Sequence, residues 1–458
     1  MPNTSTPSLE RRLGLFSITN IVIANMIGAG IFTTSGLLMG DLDNPTVMIL
    51  LWVVGGIIAL CGALCYGALG AAMPQAGGEY VFLSKLYHPS VGFLSGWVSF
   101  VVGFSAPIAA SAIGFTEYFS RAFPQWLTWG ESVGLNDPAT AKKILSIIVI
   151  VLFTLIHLRG IEFGARVQNY LTMLKVGLIL ALLFLGFLWG EGNLGHFSEG
   201  RDFALDFGGW KTLGLSLMWV MFAYSGWNAS TYIGSEIRDP SRNLPLSLIL
   251  GTGMVMLLYL FLNVLFVYAV NPDDMKGVIS IGGLAMGRLF GGPMETVFSL
   301  LISFALFSSL SAFIILGPRV YFSMARDGYF FKAISEIHPK FAVPAKSLLL
   351  QGAISIVMVL SGTFDQVLTY MGFSLGIFPI LAVLGVFRLN ASERNARLLP
   401  GYPFVPSFYV LSGLLILILA YFERPVESSI AVLTVLVGIP VFFLFKKKYH
   451  NASISRPD

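Results

Sequence analysis

The sequence predicts an all-α membrane protein that crosses the bilayer many times. Three observations carry that reading. Charged residues make up only 11% of the chain against 55% hydrophobic. Apolar stretches of spanning length recur along its whole length, and only short polar loops separate them. Soluble domains usually carry about 25% charged residues, so an ordinary soluble protein of 458 residues is excluded. The 49 glycines suit helices packed closely in lipid.

A helix needs about 20 apolar residues to cross the hydrocarbon core. Twelve stretches answer to that length, near residues 15–39, 47–72, 91–119, 143–158, 168–189, 212–234, 246–270, 293–318, 346–362, 367–388, 407–422 and 428–445. The polar segment Gly77 to His88 reads as an interfacial piece, a short helix before the third span. Arg11 and Arg12 precede the first apolar run, but that run is too long for a cleaved signal peptide and has no cleavage motif.

Basic residues set the expected orientation. With the N-terminus inside, 19 lysines and arginines fall in inner loops and tails, 8 in outer loops, and Lys175 lies inside a span. Both termini are therefore expected in the cytoplasm of a cell membrane. Lys446 to Lys448 read as a stop signal and lipid-headgroup contact, not a nucleic-acid site. Trp97, Trp126, Trp129, Trp189 and Trp210 lie near span ends, as an aromatic belt requires. Cys61 and Cys65 share one apolar stretch, so no loop cysteine remains for a disulfide to a partner subunit.

Two spans carry interruptions. The first contains MIGAGIF, Met26 to Phe32, and the sixth contains FAYSGWN, Phe222 to Asn228. Glycine costs roughly 1 kcal/mol against alanine within a helix. Close helix packing is one reading of such small residues. If spans one to five and six to ten form inverted repeats, the two interruptions occupy equivalent positions, a pointer to a transport site. A broken helix offers free N–H and free C=O groups side by side. Those groups fit the carboxylate and ammonium of a zwitterion without any charged side chain, and none is expected near either break. A side chain at Gly28 or Gly30 is expected to block transport without unfolding the protein.

Lys175 lies about one-third of the way into the fifth span. Burying a lysine costs on the order of 2.5–3.5 kcal/mol on insertion scales. It reads as a snorkelling residue, as an internal cation joining two helices, or as a proton carrier. The five histidines show no ligand spacing, and no nucleophile–base pair, phosphate loop or metal cluster is present, so neither a metal nor a cofactor is expected. Glu79, in PQAGGEY, reads as a helix-end or loop contact.

Four stretches carry a resemblance: MIGAGIF, CYGALGAAMPQAGGEYVFL, GIEFGARVQNYLTMLK and FAYSGWNASTYIGSEIRDPSRNLP. They resemble the amino acid–polyamine–organocation superfamily, in its L-type amino-acid transporter branch. The resemblance implies the LeuT-type fold: a tail at 1–14, inverted five-helix repeats at 15–189 and 190–388, two further helices at 389–446 and a tail at 447–458. It implies that a substrate carboxylate meets the N–H groups of Gly28, Ala29 and Gly30. The ammonium meets carbonyls of Met26 or Ile27 and of Phe222, Ala223 and Ser225, with the Phe222 ring as gate. It also implies that Lys175 takes the place of a sodium ion, with the Gly28 region and Ser309 as partners.

Three departures stand out. Ala29 replaces the Ser or Thr of many relatives, Ala68 replaces a Glu, and the loop cysteine that joins animal relatives to a heavy subunit is missing. The expected function is sodium-independent transport of neutral, small amino acids by alternating access, as exchanger, uniporter or proton symporter. The alternative is a polyamine or cationic amino-acid exchanger, which calls for a carboxylate or clustered aromatics at the breaks. An intramembrane enzyme needs convergent His, Asp, Glu or Cys within spans, and these are absent from the sequence pattern.

Overall fold

A computed structural model describes residues 11–127, 137–341, 343–361, 364–389 and 399–454. The tail before residue 11, Trp129, Arg394, Arg397 and Arg456 lie outside them. Among the described residues, extended backbone pairs only at two isolated bridges, Leu13 with Ile237 and Ala76 with Ile233.

The first half of the chain forms α1 (Leu15–Met26), α2 (Ala29–Leu42), α3 (Pro45–Ala72), α4 (Glu79–Leu86), α5 (Pro89–Val98), α6 (Ser105–Ala122), α7 (Pro138–His157) and α8 (Ile161–Trp189). The second half forms α9 (Phe207–Ala223), α10 (Pro240–Ala269), α11 (Ile281–Phe290), α12 (Gly292–Arg326), α13 (Ala345–Ser361), α14 (Phe364–Gly385), α15 (Phe404–Glu423) and α16 (Pro425–Ile454). Local chemistry sets many of the starts. Proline opens α3, α5, α7, α10 and α16, at a position whose N–H has no helical partner anyway. Asn44 caps α3 by accepting from Val47 N at 3.0 Å, and Asp137 caps α7 through Ala139 N and Thr140 N, both at 3.1 Å.

Ten helices among the described residues are long and apolar enough to cross a membrane. The twelve expected spans are therefore not all matched at spanning length. The sixth is cut short: α9 has 17 residues and gives way to single turns at Ala229–Tyr232 and Gly234–Glu236. The ninth, α13, also has 17 residues and starts just after Pro344. Several boundaries move outward, as where α12 continues to Arg326 rather than ending near 318.

In the interior, α3 packs against α10 and α6 against α12, while α9 lies against α2 and α14. The last helix, α16, turns Leu433 and Leu444 outward at 58% and 68% exposure. Rows of exposed apolar side chains of this kind are the surface that lipid covers.

The two breaks meet at the centre. Ile27 and Gly28 leave helical geometry between α1 and α2. After α9, Gly226 has φ +94°. A Cβ on Gly30 would lie 2.6 Å from Ala223 Cα, and one on Gly226 would lie 2.7 Å from Asn25 Cβ. Gly28 is roomier, with Ser309 Oγ at 3.6 Å from the same imagined atom. This corrects the expectation for Gly30: a side chain there strikes the opposing backbone before it could meet any ligand. Gly30→Ala and Gly226→Ala should each lose about 1–3 kcal/mol of stability, and Gly28→Ala should lose less. Melting of the detergent-purified protein checks this order, and a Gly30→Ala melt matching wild type would refute the close approach.

Candidate functional site

The centre of the molecule is built from backbone that its own helices leave unsatisfied. The first N–H groups of a helix and its last C=O groups have no partner within it. Gly28 is the N-cap of α2, in extended geometry and with no side chain to cap the helix. The 14-residue α2 thus directs free N–H groups and its positive dipole end at the break, a ready place for a carboxylate.

The carbonyl side is held by two buried side chains. Lys175, fully buried, donates from Nζ to Ala24 O at 3.1 Å, to Ile27 O, and to Ser309 Oγ at 2.9 Å. Ser309 Oγ in turn donates to Ile27 O at 2.6 Å. One ammonium with three donors so ties α8 to the end of α1 and to α12. Tyr259, on α10, places its hydroxyl on the Met26 carbonyl and on that of Ala223, the latter at 3.0 Å. A single phenol therefore joins both broken helices.

Met26, Gly28, Ala29, Gly30, Phe222, Ala223 and Ser225 line one small cavity of about 10 Å³, together with Asn25, Ser111 and Phe313. Ile27 is not in that lining, and its carbonyl is turned to Lys175 and Ser309. Asn25, Phe222, Ser225 and Phe313 also line a second cavity of about 110 Å³. At the far ends of α2 and α6, a vestibule of about 980 Å³ is lined by Asp41, Glu117, Lys142 and Trp219, the last one helical turn before Phe222.

Three features escaped the reading of the sequence. Asn25 is buried, donates to Ile21 O at 2.8 Å, and leaves its Oδ1 without a partner beside both cavities. An asparagine directly before MIGAGIF was the available signal. Tyr259 gave no local signal, because its partners lie 233 and 36 residues away. The third is Glu79, and here an expectation is overturned. No carboxylate was expected near the breaks, yet Glu79 lines the second cavity. Its Oε1 accepts from Asn228 Nδ2 at 2.8 Å, Tyr66 OH at 2.9 Å and Tyr232 OH at 3.3 Å. The turn Gly77–Gly78, with φ +120° and +54°, starts α4 so that this side chain points inward. Burial pushes the Glu79 carboxyl up to about 7, against the hydrogen bonds that lower it.

Beyond the second break the chain is closed by an ion pair. Arg319 Nε meets Glu236 Oε1 at 3.0 Å with both side chains buried. The backbone N–H groups of Arg12 and Leu13 donate to Glu236 O nearby, at 3.0 and 2.9 Å. The belt tryptophans divide. Trp189 and Trp210 are exposed, whereas Trp97 donates to Thr434 O and Trp126 to Ser120 Oγ.

Comparison with known proteins identifies the family. The family model described as amino acid permease matches residues 13–445. The b(0,+)-type amino acid transporter 1 of Mus musculus is 26% identical, over 96% of this chain and 89% of its own. The Asc-type amino acid transporter 1 of Homo sapiens is 26% identical, over 95% of this chain and 82% of its own. The serine/threonine exchanger SteT of Bacillus subtilis (strain 168) is 27% identical, over 97% and 99%. A family match from Leu13 to Phe445 takes in both breaks and every span between them, so the chain belongs to the amino acid permease family of the amino acid–polyamine–organocation superfamily, with its LeuT-type fold, and is a multi-pass membrane transporter of amino acids rather than an enzyme.

Proposed function

We propose that this transporter carries small neutral amino acids without sodium, by alternating access, as an exchanger, a uniporter or a proton symporter. The observation that carries the proposal is the pairing of an uncapped α2 N-terminus with the carbonyl ends of α1 and α9 around one cavity. In this reading the substrate carboxylate meets the N–H groups of Gly28, Ala29 and Gly30. Its ammonium meets the carbonyls of Met26, Phe222, Ala223 or Ser225 and the unpartnered Asn25 Oδ1. Both lone pairs of Ile27 O are engaged by Lys175 and Ser309, so Ile27 supports the site through them. Phe222, between the two cavities, is the gate. The repeats 15–189 and 190–388 rock about this centre in a cell membrane, with both termini in the cytoplasm. Cys61 and Cys65 both lie in α3, which favours a carrier that works without a disulfide-linked heavy subunit. The serine/threonine exchange named for SteT favours small hydroxylated substrates.

The second reading, a cationic amino acid or a polyamine, draws on Glu79 and the aromatic side chains Tyr232, Trp227 and Tyr409 around the larger cavity. Competition of labelled serine uptake by excess alanine against excess lysine separates the two. Stronger competition by lysine would favour the second.

Lys175 supplies the test of sodium independence. Its ammonium satisfies carbonyl and hydroxyl acceptors much as a metal ion does, so replacing sodium by choline should leave proteoliposome uptake unchanged. A strong loss in choline would overturn the assignment. Lys175→Ala strands the Ala24 carbonyl, and should lower turnover by roughly 10²-fold while membrane insertion changes little. Equal losses of inserted protein and of uptake would make the lysine purely structural.

Side-chain size is the second test. Ser225 lines the small cavity, so its hydroxymethyl group takes up space that a large substrate needs. Ser225→Gly should shift preference toward larger amino acids by about 1–3 kcal/mol. If wild type takes up tryptophan as readily as alanine, the size argument fails.

A further inference from the structure

We propose that Glu79 is a proton-exchanging site, coupled to movement of the second helix break through Asn228. The proposal rests on the reading of the chain as an alternating-access carrier and adds to it the ion that drives it.

The geometry is a buried carboxyl without a cation. Glu79 is 6% exposed, and no lysine, arginine or histidine among the described residues forms an ion pair with it. The groups facing it are neutral. They are Tyr66 from α3, Ser95 from α5, Asn228 and Tyr232 from the segment after the break, and Tyr409 from α15. Lys85 sits at the other end of its own helix, and Asp327 is bonded to Tyr80. The one cation on the nearby stretch of α12, Arg319, is held by Glu236. An isolated buried carboxylate is costly, and taking up a proton removes the charge without admitting a larger ion.

Asn228 supplies the coupling. It stands two residues after Gly226, in the non-helical segment that follows Ser225, and its amide is the shortest contact on Glu79 Oε1. Donors to a carboxylate favour its charged form. If substrate shifts the Phe222–Gly226 segment and draws Asn228 away, the carboxylate loses a donor and takes a proton from water in the cavity it lines. When Asn228 returns, the proton leaves Glu79 for that water. The sign follows from burial. Burial raises the carboxyl to about 7 with Asn228 in place, and loss of that donor raises it further, so protonation favours the displaced segment and rising pH through and above about 7 favours its return.

The test uses the full chain in proteoliposomes with a pH-sensitive dye trapped inside. Serine added outside should change the internal pH in wild type. In Glu79→Gln that change should be lost, while counterflow of labelled serine at equal pH on both sides persists. Should Glu79→Gln fold poorly, Tyr66→Phe keeps the carboxyl and removes one donor to its charged form. The pH midpoint of serine accumulation should then rise by about one pH unit. The proposal is overturned by an unchanged internal-pH response in Glu79→Gln, by wild-type counterflow without proton movement, or by a Tyr66→Phe midpoint equal to that of wild type. Loss in Glu79→Gln of competition by lysine, with proton movement intact, assigns the carboxyl to a cationic substrate and overturns it too. Absence of wild-type counterflow for every amino acid removes the transport reading itself, and this proposal with it.

Discussion

The arrangement at the centre depends on what becomes of the carbonyls freed where α1 ends. At that depth no lipid group can accept or donate a hydrogen bond, and an unmet backbone group costs several kcal/mol. Lys175 resolves this with one ammonium. Its contacts to Ala24 O, Ile27 O and Ser309 Oγ satisfy the break and draw α8, α1 and α12 to one point. The lysine's charge would itself be costly there. Three oxygen acceptors offset that cost, and no carboxylate among the described residues pairs with it.

Around that point the packing is close enough to forbid side chains. The Gly30 backbone faces Ala223, and Gly226 faces Asn25, at distances that no Cβ tolerates. Each break is therefore the surface against which the other is held, with the Tyr259 hydroxyl spanning both. Movement at one break is felt directly at the other. A carrier needs that rigidity, since a substrate touching both can then bias the whole bundle.

The sequence was informative where function concentrates in short motifs. MIGAGIF and FAYSGWN located both breaks, because small residues that could each serve close packing recur at positions expected to be equivalent in two repeats. Lys175 and Ser309 were brought together only by resemblance, and their atoms lie 2.9 Å apart. Glu79 is the helix-end residue it was read as, but its reach to the second break was not legible, for a physical reason. It stands between the Gly77–Gly78 turn and the rest of α4, whereas Asn228 and Tyr232 are 149 and 153 residues distant. Nothing in a local pattern shows that a turn of two positive-φ glycines will direct a carboxyl inward. Ten of the twelve expected spans appear as helices of crossing length among the described residues, and α9 and α13, with 17 residues each, are shorter.

The ends of the molecule are not equivalent, and the difference has energetic content. At the end where Leu13 pairs with Ile237, the Arg319–Glu236 pair is buried and the backbone of Arg12 and Leu13 is bonded to the Glu236 carbonyl. At the other end a vestibule of about 980 Å³ reaches Trp219. Opening the first end means separating two buried charges. That costs several kcal/mol unless both are hydrated as they part. Water is the least costly partner for that purpose, and the cavity lined by Glu79 and Asn228 already lies between the breaks and this closed end. The polar cluster around Glu79 lines a cavity that also touches the second break. An ion pair that must hydrate to part and a carboxyl that can be neutralised would both be eased by water entering at this end.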